Sequence, residues 1–366
     1  MLSDIQTKEA LSLLMDLVSI PSPSGKEGKL AKYIFNWLSE RGFKNIKIDK
    51  AGNVRARTTE EIPIITYCGH MDTVPGTFPV SLNSGRLFGR GASDAKGPLS
   101  AMLYSAYRLM RKGIPVEVLA VVREEMNSEG IKYALRDEPI SKFTVFGEPS
   151  GVNNVVIGYR GRIEAEVEFY AQSFHASMPW IGRSALQYAI DFIDRLKVYE
   201  ANFSSRNKTD SVSICVTRMS AGLANNVAPP DARLVLDIRI PAHIKKEKII
   251  EDIRKLCRLT RAPRFRMKVN ESVEAASSPN GYLMMAMRRA IFRALGSPAK
   301  MVKKTGSGDM NYAIKKGVEA LTYGPGDGLT EHSSNESIEL EGFFKTINVL
   351  TELPMELRHI LSEKKI

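Results

Sequence analysis

Short apolar strands alternate with helical patterns along the first 150 residues, and this alternation constrains the fold more than any other feature. Strand-like runs cover 62–67, 116–122 and 143–146, and a helical pattern covers 98–111. Strands that are apolar on both faces are typical of a parallel sheet with helices packed against it. The sequence therefore predicts an α/β domain with a mostly parallel mixed sheet and helices on both faces.

A second pattern begins at residue 161, where polar and apolar residues alternate as in a strand with one solvated face. It continues in the order β-α-β-β-α-β, with later strands at 211–217, 233–240 and 263–269 and helices at 183–199 and 245–258. This order is the split βαβ unit of ferredoxin-like folds. We therefore expect an inserted α+β domain at 161–270 and a discontinuous first domain formed by 1–160 and 271–366.

The N-terminal segment is predicted to form an amphipathic helix rather than a signal peptide, because acidic residues precede and interrupt its apolar stretch. Its buried face is expected to contain Leu11, Leu14, Met15 and Val18. Ser24 and Glu27 then have the spacing of a capping box, which predicts the start of a second helix. Runs of 18 apolar residues do not occur, so no membrane span is predicted.

The charge of the chain narrows the class of partner. Its 366 residues contain 52 Lys and Arg against 41 Asp and Glu, a net charge of +11. Such an excess is compatible with nucleic acid, an anionic membrane, an acidic partner or simple solubility. The basic residues are scattered without interleaved aromatics, which disfavours nucleic acid binding.

Three widely spaced cysteines argue against a disulfide framework and a cysteine-ligated zinc site, and indicate a reducing cytoplasm.

Potential metal ligands follow several of the predicted strands. They are His70 and Asp72, Asp94, Glu124 and Glu125, and Glu148, with a second imidazole at His332 far downstream. Taken singly, a histidine after a strand is usually a packing residue, and paired glutamates usually form a solvated face. Sites in open α/β sheets form at the carboxyl ends of the strands, so these residues together favour a divalent metal site, with zinc as the best fit.

A glycine-dense turn at 89–97 surrounds Asp94 and leads into the predicted helix. Such a turn can cradle a phosphate at a helix N-terminus. The segment lacks both a Walker lysine and a G-x-G-x-x-G pattern, so phosphate binding is the less favoured interpretation.

Nearly the whole chain resembles the M20 metallopeptidase family. The motifs that carry the resemblance are Gly69-His70-Met71-Asp72, Gly89-Arg90-Gly91, Asp94-Ala95-Lys96-Gly97, Glu124-Glu125, Glu148-Pro149, His175-x-Ser177-x-Pro179 and His332-Ser333-x-Asn335-Glu336. The resemblance implies a zinc-peptidase-like catalytic domain with two divalent metal ions, zinc or alternatively cobalt, and an inserted lid or dimerisation domain.

The resemblance also implies a role for each matching residue. Asp94 bridges the two ions, His70 and Glu148 complete one shell, and Glu125 and His332 complete the other. Asp72 orients His70, Glu124 is the general base and acid, and the Asp94-Ala95 peptide is cis. His175, reaching from a neighbouring subunit or a closing lid, stabilises the oxyanion. Arg239 grips the substrate carboxylate and Asn226 makes a polar contact, whereas the loop Gly306-Ser307-Gly308-Asp309 departs from the family pattern.

Within the family, the chain is most similar to the branch that releases lysine or ornithine from an amino-group carrier protein. The implied reaction hydrolyses the amide between a glutamate side chain of the small acidic carrier and the amino acid. The alternatives are a small-molecule N-acyl-amino-acid deacylase or a dipeptidase of the same family, and lysine versus ornithine stays open. A homodimer joined through the inserted domain is expected, partly by analogy with the family.

Overall fold

The computed structural model describes residues 2–138, 140–326, 328 and 330–364. Its helices are α1 (Asp4–Ser19), α2 (Gly28–Glu40), α3 (Lys96–Met110), α4 (Glu129–Asp137), α5 (Ala185–Ala201), α6 (Lys246–Leu259), α7 (Tyr282–Leu295), α8 (Asp309–Lys315) and α9 (Leu340–Glu363), with a 3-10 turn at Lys208–Asp210. Its strands are β1 (Lys44–Ile48), β2 (Val54–Arg57), β3 (Ile65–His70), β4 (Ser81–Asn83), β5 (Arg86–Phe88), β6 (Val116–Val121), β7 (Phe143–Gly147), β8 (Asn154–Tyr159), β9 (Gly161–Tyr170), β10 (Ser213–Ala221), β11 (Asp231–Ile240), β12 (Arg264–Val273), β13 (Ala276–Ser277), β14 (Lys300–Lys304), β15 (Glu319–Thr322) and β16 (Ser337–Glu339).

The chain divides into two compact units. Unit 1 contains residues 1–158, 278–302 and 308–366, and unit 2 contains 159–277 and 303–307. Unit 2 therefore includes residues 159–160, 271–277 and 303–307, which the sequence predicts to lie in the discontinuous domain. The difference at 271–273 arises because β12 runs on to Val273 instead of ending near 269.

Unit 1 is built on a sheet that contains the strands β1-β2-β6-β3-β7-β15-β8 in this order. The four central strands β6, β3, β7 and β15 are parallel, and antiparallel strands flank them. Helix α3 packs on β3 and β6, and α9 packs on α3 and α7. Every residue of β3, β6 and β7 is buried, as the apolar runs predict. The predicted α/β class with a parallel sheet centre is confirmed.

A small antiparallel sheet in the order β16-β5-β4 also belongs to unit 1. Ser337 on β16 pairs with Phe88 on β5. The segment before β16 contains His332, and the turn after β5 contains Asp94. The pairing therefore brings two segments together that are more than 200 residues apart in the sequence.

Unit 2 has the β-α-β-β-α-β order that the sequence predicts, here β9-α5-β10-β11-α6-β12. Its four strands are antiparallel in the order β10-β11-β9-β12. The inward side chains of β9 and β11 form a core with the two helices, and its members include Val167, Phe169, Leu236, Phe192 and Ile253. Glutamates and arginines occupy the other face of the sheet. This is the ferredoxin-like arrangement of the inserted α+β domain.

The predicted buried face of α1 is wrong in part. Leu14 and Val18 are buried, but Leu11 is only half-buried and Met15 is 37% exposed. Leu13 and Leu17 are buried instead, because α1 packs against α3 with a stripe rotated from the predicted one. Among the described helices, none combines the length and apolarity that crossing a membrane requires.

Candidate metal centre

The parallel strands of unit 1 bring the polar clusters to one edge of the sheet. His70 is the last residue of β3, which lies between β6 and β7. Gly69 is in register with Ala120 on one side and Gly147 on the other. The residues that follow these strands, Glu124 and Glu125 after β6 and Glu148 after β7, therefore emerge beside His70. Parallel strands end at the same edge of a sheet, which is the reason for this convergence.

Asp94 turns one carboxylate oxygen toward each of two histidines. Its Oδ1 lies 3.1 Å from Nε2 of His70, and its Oδ2 lies 3.1 Å from Nε2 of His332. His70 Nε2 is also 3.5 Å from Oε1 of Glu148, and His332 Nε2 is 2.9 Å from Oε1 of Glu125. The cluster thus contains two groups of three donors, which share Asp94.

The donor set fits divalent metal ions. Two atoms that bind one zinc ion tetrahedrally, with bonds of about 2.0–2.1 Å, lie about 3.4 Å apart. The observed separations are close to that value. Donor atoms of His70, Asp94 and Glu125 all lie within 4.8 Å of one another. Imidazole and carboxylate together are ligands that zinc, cobalt and related ions accept.

The electrostatics of the cluster favour a positive charge at its centre. Burial lowers the pKa of His70, but Glu148, Asp72 and Asp94 outweigh it and raise this pKa well above its usual range. Hydrogen bonds with Asp94 and Glu125 raise the pKa of His332 to about 10. Carboxylates that hold protons on two imidazoles would equally attract a dication, and metal binding displaces such protons.

Asp72 is the central acceptor behind the cluster. Its Oδ1 accepts the backbone N–H of Glu124 at 2.9 Å, and its Oδ2 accepts that of Glu125 at 3.1 Å and the hydroxyl of Ser24 at 2.6 Å. His70 Nδ1 lies 2.9 Å from the main-chain oxygen of Asp72 and 3.5 Å from its carboxylate. The backbone of Asp72 thus fixes the His70 tautomer, while its carboxylate holds the glutamate pair.

The contact of Ser24 with Asp72 corrects the predicted capping box. Helix α2 begins at Gly28 with Glu27 as its N-cap, and no side chain caps it. The Glu27 carboxylate instead accepts the backbone N–H of Gly25 at 2.9 Å and of Arg123 at 3.1 Å. Both residues of the expected box therefore support the segment before Glu124. Arg123 and His332 have left-handed backbones, with φ of 57° and 59°, which is uncommon outside glycine.

Glu124 lies beside the ligands without pairing with either histidine in the described contacts. Gly308 lies near this carboxyl group, since a Cβ built there would be 3.4 Å from Oε1, an ordinary van der Waals distance. Loss of solvent raises the pKa of Glu124 well above its usual range, and the carboxylates of Glu148 and Asp309 add to the effect. Asp309 is itself buried, and burial raises its pKa to about 7. A raised pKa makes the Glu124 carboxylate a stronger proton acceptor than an exposed glutamate.

The glycine-dense turn before α3 needs two of its glycines for close approach. A Cβ at Gly97 would lie 2.3 Å from the oxygen of Ala92, and one at Gly91 would lie 2.8 Å from Thr73 Cγ2 at a φ of 82°. The peptide bond Asp94-Ala95 is cis, as the family resemblance implies. The close contacts at these two glycines show that the turn is packed tightly around the Asp94 carboxylate.

His175 and Asn226 lie together in unit 2, on two exposed segments joined by backbone hydrogen bonds. Ala176 N–H donates to the oxygen of Asn226 at 2.9 Å. The backbone N–H of Ser177 donates to Nδ1 of His175 at 3.2 Å, and the Ser177 hydroxyl lies 2.7 Å from the same nitrogen. Since a backbone N–H can only donate, Nδ1 is an acceptor and the ring proton sits on Nε2. His175 is thus held in the tautomer that can donate from Nε2.

Arg239, on β11 of unit 2, has one edge of its guanidinium paired with a carboxylate. Its Nε and Nη2 bond to the Asp237 carboxylate at 2.6 Å and 3.2 Å, and its Nη1 donates to Ser307 Oγ at 3.1 Å. The Asp237 side chain, from the same strand, therefore fills the Nε edge of the guanidinium. The role of Arg239 toward a substrate carboxylate stays a prediction.

Comparison with known proteins identifies the family. The model of peptidase family M20/M25/M40 matches residues 67–356, which is well over half of the chain. The chain belongs to this family. Membership of M20 makes the protein a metal-dependent amide hydrolase.

Two relatives of this M20 chain are named LysW-lysine/LysW-ornithine hydrolases. The protein of Saccharolobus solfataricus is 31% identical over 93% of this chain and 94% of its own length. The protein of Sulfurisphaera tokodaii is 30% identical over 96% of this chain and 97% of its own length. The likeness therefore includes both units of the M20 chain.

Solved structures of three peptidases share the fold. Aminopeptidase PepT of Bacillus cereus has a TM-score of 0.81 at 19% identity and covers 96% of this chain and 99% of its own. A metallo-carboxypeptidase of Sulfolobus solfataricus has a TM-score of 0.80 at 18% identity, with 96% and 100% coverage. A Bacillus subtilis protein described as a dinuclear metal-binding peptidase has a TM-score of 0.75 at 17% identity, with 96% and 98% coverage.

The contacts of three residues at the M20 site are not predicted from the sequence. Ser24 and Glu27 resemble ordinary helix-start residues, and nothing local links them to Asp72 or Arg123. Glu336 ends a recognised motif, but its contacts are with residues more than 200 positions earlier. The only available signal for Glu336 is its place in the motif.

Proposed function

We propose that this protein releases lysine, or ornithine, from the glutamate side chain of a small acidic carrier protein in amino-acid biosynthesis in the cytoplasm. The observation that carries the proposal is the similarity, along nearly the whole chain, to two proteins named LysW-lysine/LysW-ornithine hydrolases. The candidate metal cluster of His70, Asp94, Glu125, Glu148 and His332 agrees with a hydrolase of this kind.

The site would hold two divalent ions, with zinc as the first candidate and cobalt as the alternative. His70 and Glu148 would bind one ion, Glu125 and His332 the other, and Asp94 both. The two oxygens of Asp94, each 3.1 Å from a different imidazole, support this division. When bound, such ions supply an acidified water and a Lewis acid for the amide carbonyl.

Glu124 is the proposed general base and acid. Hydrolysis adds a water oxygen to the amide carbon, and Glu124 takes the proton that this water loses. The C–N bond then breaks, and Glu124 delivers the proton to the departing amine. The raised pKa of Glu124, caused first by burial and then by neighbouring carboxylates, suits a group that must carry a proton between these steps.

His175 is the proposed donor to the oxyanion, acting from the second subunit of a homodimer or from a closing unit 2. The Ser177 contacts support this role because they leave the proton on Nε2. Asn226, whose backbone bonds to the His175 segment, is proposed to add a polar contact. Arg239, whose guanidinium lies beside Asp237 and Ser307, is proposed to grip the substrate carboxylate.

Replacing His175 by Ala should lower kcat by roughly 10²- to 10³-fold, the usual cost of removing one oxyanion donor. Ser177→Ala should cause a smaller loss of kcat, because the ring and the backbone N–H contact to Nδ1 remain and only the hydroxyl contact is lost. Steady-state kinetics of the two variants measure this order. His243→Ala, which changes an exposed histidine elsewhere in unit 2, is the matched control. A larger loss in Ser177→Ala than in His175→Ala would contradict the assignment.

The carrier substrate is tested by loading a purified carrier with lysine and measuring lysine release by the zinc-loaded enzyme. Turnover of the loaded carrier should exceed that of acetylornithine. The enzyme carries +11, so raising salt should lower kcat/KM for the acidic carrier far more than for a small amide. Rapid acetylornithine turnover without lysine release would contradict the carrier proposal and favour a small-molecule deacylase.

A further inference from the structure

Glu336 is a buried carboxylate that contacts the turn carrying Asp94. It is 1% exposed. Its Oε1 accepts the backbone N–H groups of Ser93 at 3.1 Å and Asp94 at 3.0 Å. Its Oε2 accepts a hydrogen bond from Arg90 Nη1 at 2.8 Å. Its main-chain oxygen accepts the N–H of Gly89 at 3.1 Å. One residue therefore holds the turn from Gly89 to Asp94 at four points.

The same residue links the segment of His332 to the segment of Asp94, which both halves of the cluster share. Glu336 lies four positions after His332 and directly before β16, whose pairing with β5 sets the start of the Asp94 turn. The bonds from Ser93 and Asp94 go to a protein carboxylate and need no metal ion. Arg90 supplies the positive charge that a buried carboxylate requires. The arrangement can therefore exist before any ion binds.

We propose that Glu336 is a positioning residue that fixes Asp94 for metal bridging before either ion is bound. This inference rests on the proposed function, because the bridging role of Asp94 is part of that proposal. Two charge-assisted bonds to consecutive backbone amides define the direction of the Asp94 side chain more closely than one bond could. Groups behind a metal ligand commonly change metal affinity by roughly 10- to 100-fold.

The wild-type protein gives the first test. In the metal-free enzyme, amide hydrogen exchange at Ser93 and Asp94 should be slow, since both N–H groups are bonded to Glu336. Exchange at the rate of an open loop would overturn the proposal. The measurement uses neither substrate nor metal, so its result does not depend on which amide the enzyme hydrolyses.

Glu336→Gln gives the second test. Exchange at Ser93 and Asp94 in the metal-free variant should accelerate at least tenfold, and zinc affinity should fall by roughly 10- to 100-fold. Saturating zinc should restore kcat, because Glu336 touches no reacting atom. A kcat that stays low at saturating zinc, or unchanged zinc affinity and exchange, would overturn the proposal.

Glu356→Gln is the matched control. Glu356 on α9 is a glutamate of unit 1 that is 2% exposed and forms an ion pair of 2.7 Å with Arg293. Its replacement removes the same kind of buried charge, and Glu356 has no described bond to the Asp94 turn. It should leave zinc affinity and exchange at Ser93 and Asp94 unchanged. Equal effects in the two variants would show general destabilisation and contradict the positioning role.

Discussion

Replacing Glu124 by Gln should lower kcat by roughly 10²- to 10⁴-fold while the metal content stays at the wild-type level. The amide has nearly the shape of the carboxylate but cannot take a proton from water. Metal content should survive because Glu125, not Glu124, is paired with His332. The measurement combines steady-state kinetics with elemental analysis of the same preparation.

Glu129→Gln is the control for this experiment. Glu129 lies five positions away in the first turn of α4 and pairs with Arg123 on the surface. Its loss removes a glutamate from the same region without touching the cluster, so kcat should change little. Turnover near the wild-type level in Glu124→Gln, with metal bound, would contradict the proton-transfer role.

Asp94→Asn should weaken the binding of both metal ions and lower turnover by roughly 10²-fold or more. Even replacing a group that only contacts a metal ligand commonly lowers metal affinity or activity by roughly 10- to 100-fold. Each Asp94 oxygen faces a different imidazole, and the amide keeps only one oxygen and no charge. His332→Ala should weaken the binding of one ion and leave the binding of the other unchanged, because His332 belongs to one half of the cluster. Metal titration of the metal-free proteins separates the two patterns.

A surface substitution provides the control for Asp94. Asp194→Asn removes an exposed carboxylate that pairs with Lys197 in unit 2, and it should bind metal like the wild type. If Asp94→Asn lost only one ion and His332→Ala lost both, Asp94 would not be the shared ligand, and the division of the cluster would be wrong.

Much of the fold and of the cluster could be predicted because both depend on local patterns. Buried parallel strands are continuous apolar runs, and the residues just after such strands share one edge of the sheet. The sequence alone therefore predicts that His70, Glu124 and Glu148 lie together. The ferredoxin-like order of unit 2 was predictable for a similar reason, since its alternation and helix lengths are local.

The supporting contacts could not be predicted because they join distant segments. Ser24 is 48 positions from Asp72, and Glu336 is 242 positions from Asp94. A serine three residues before a glutamate favours a capping box until a buried carboxylate competes for its hydroxyl. Arg239 shows the same limit, because a residue two positions away fills the edge that the sequence leaves open for a ligand.

Anomalous diffraction from crystals of the zinc-loaded enzyme tests the central claim most directly. We expect two peaks per chain on opposite sides of Asp94. One should lie between Asp94, His70 and Glu148, and the other between Asp94, Glu125 and His332. A single peak, or peaks that leave out Asp94, would contradict the two-ion centre on which the proposed hydrolysis depends.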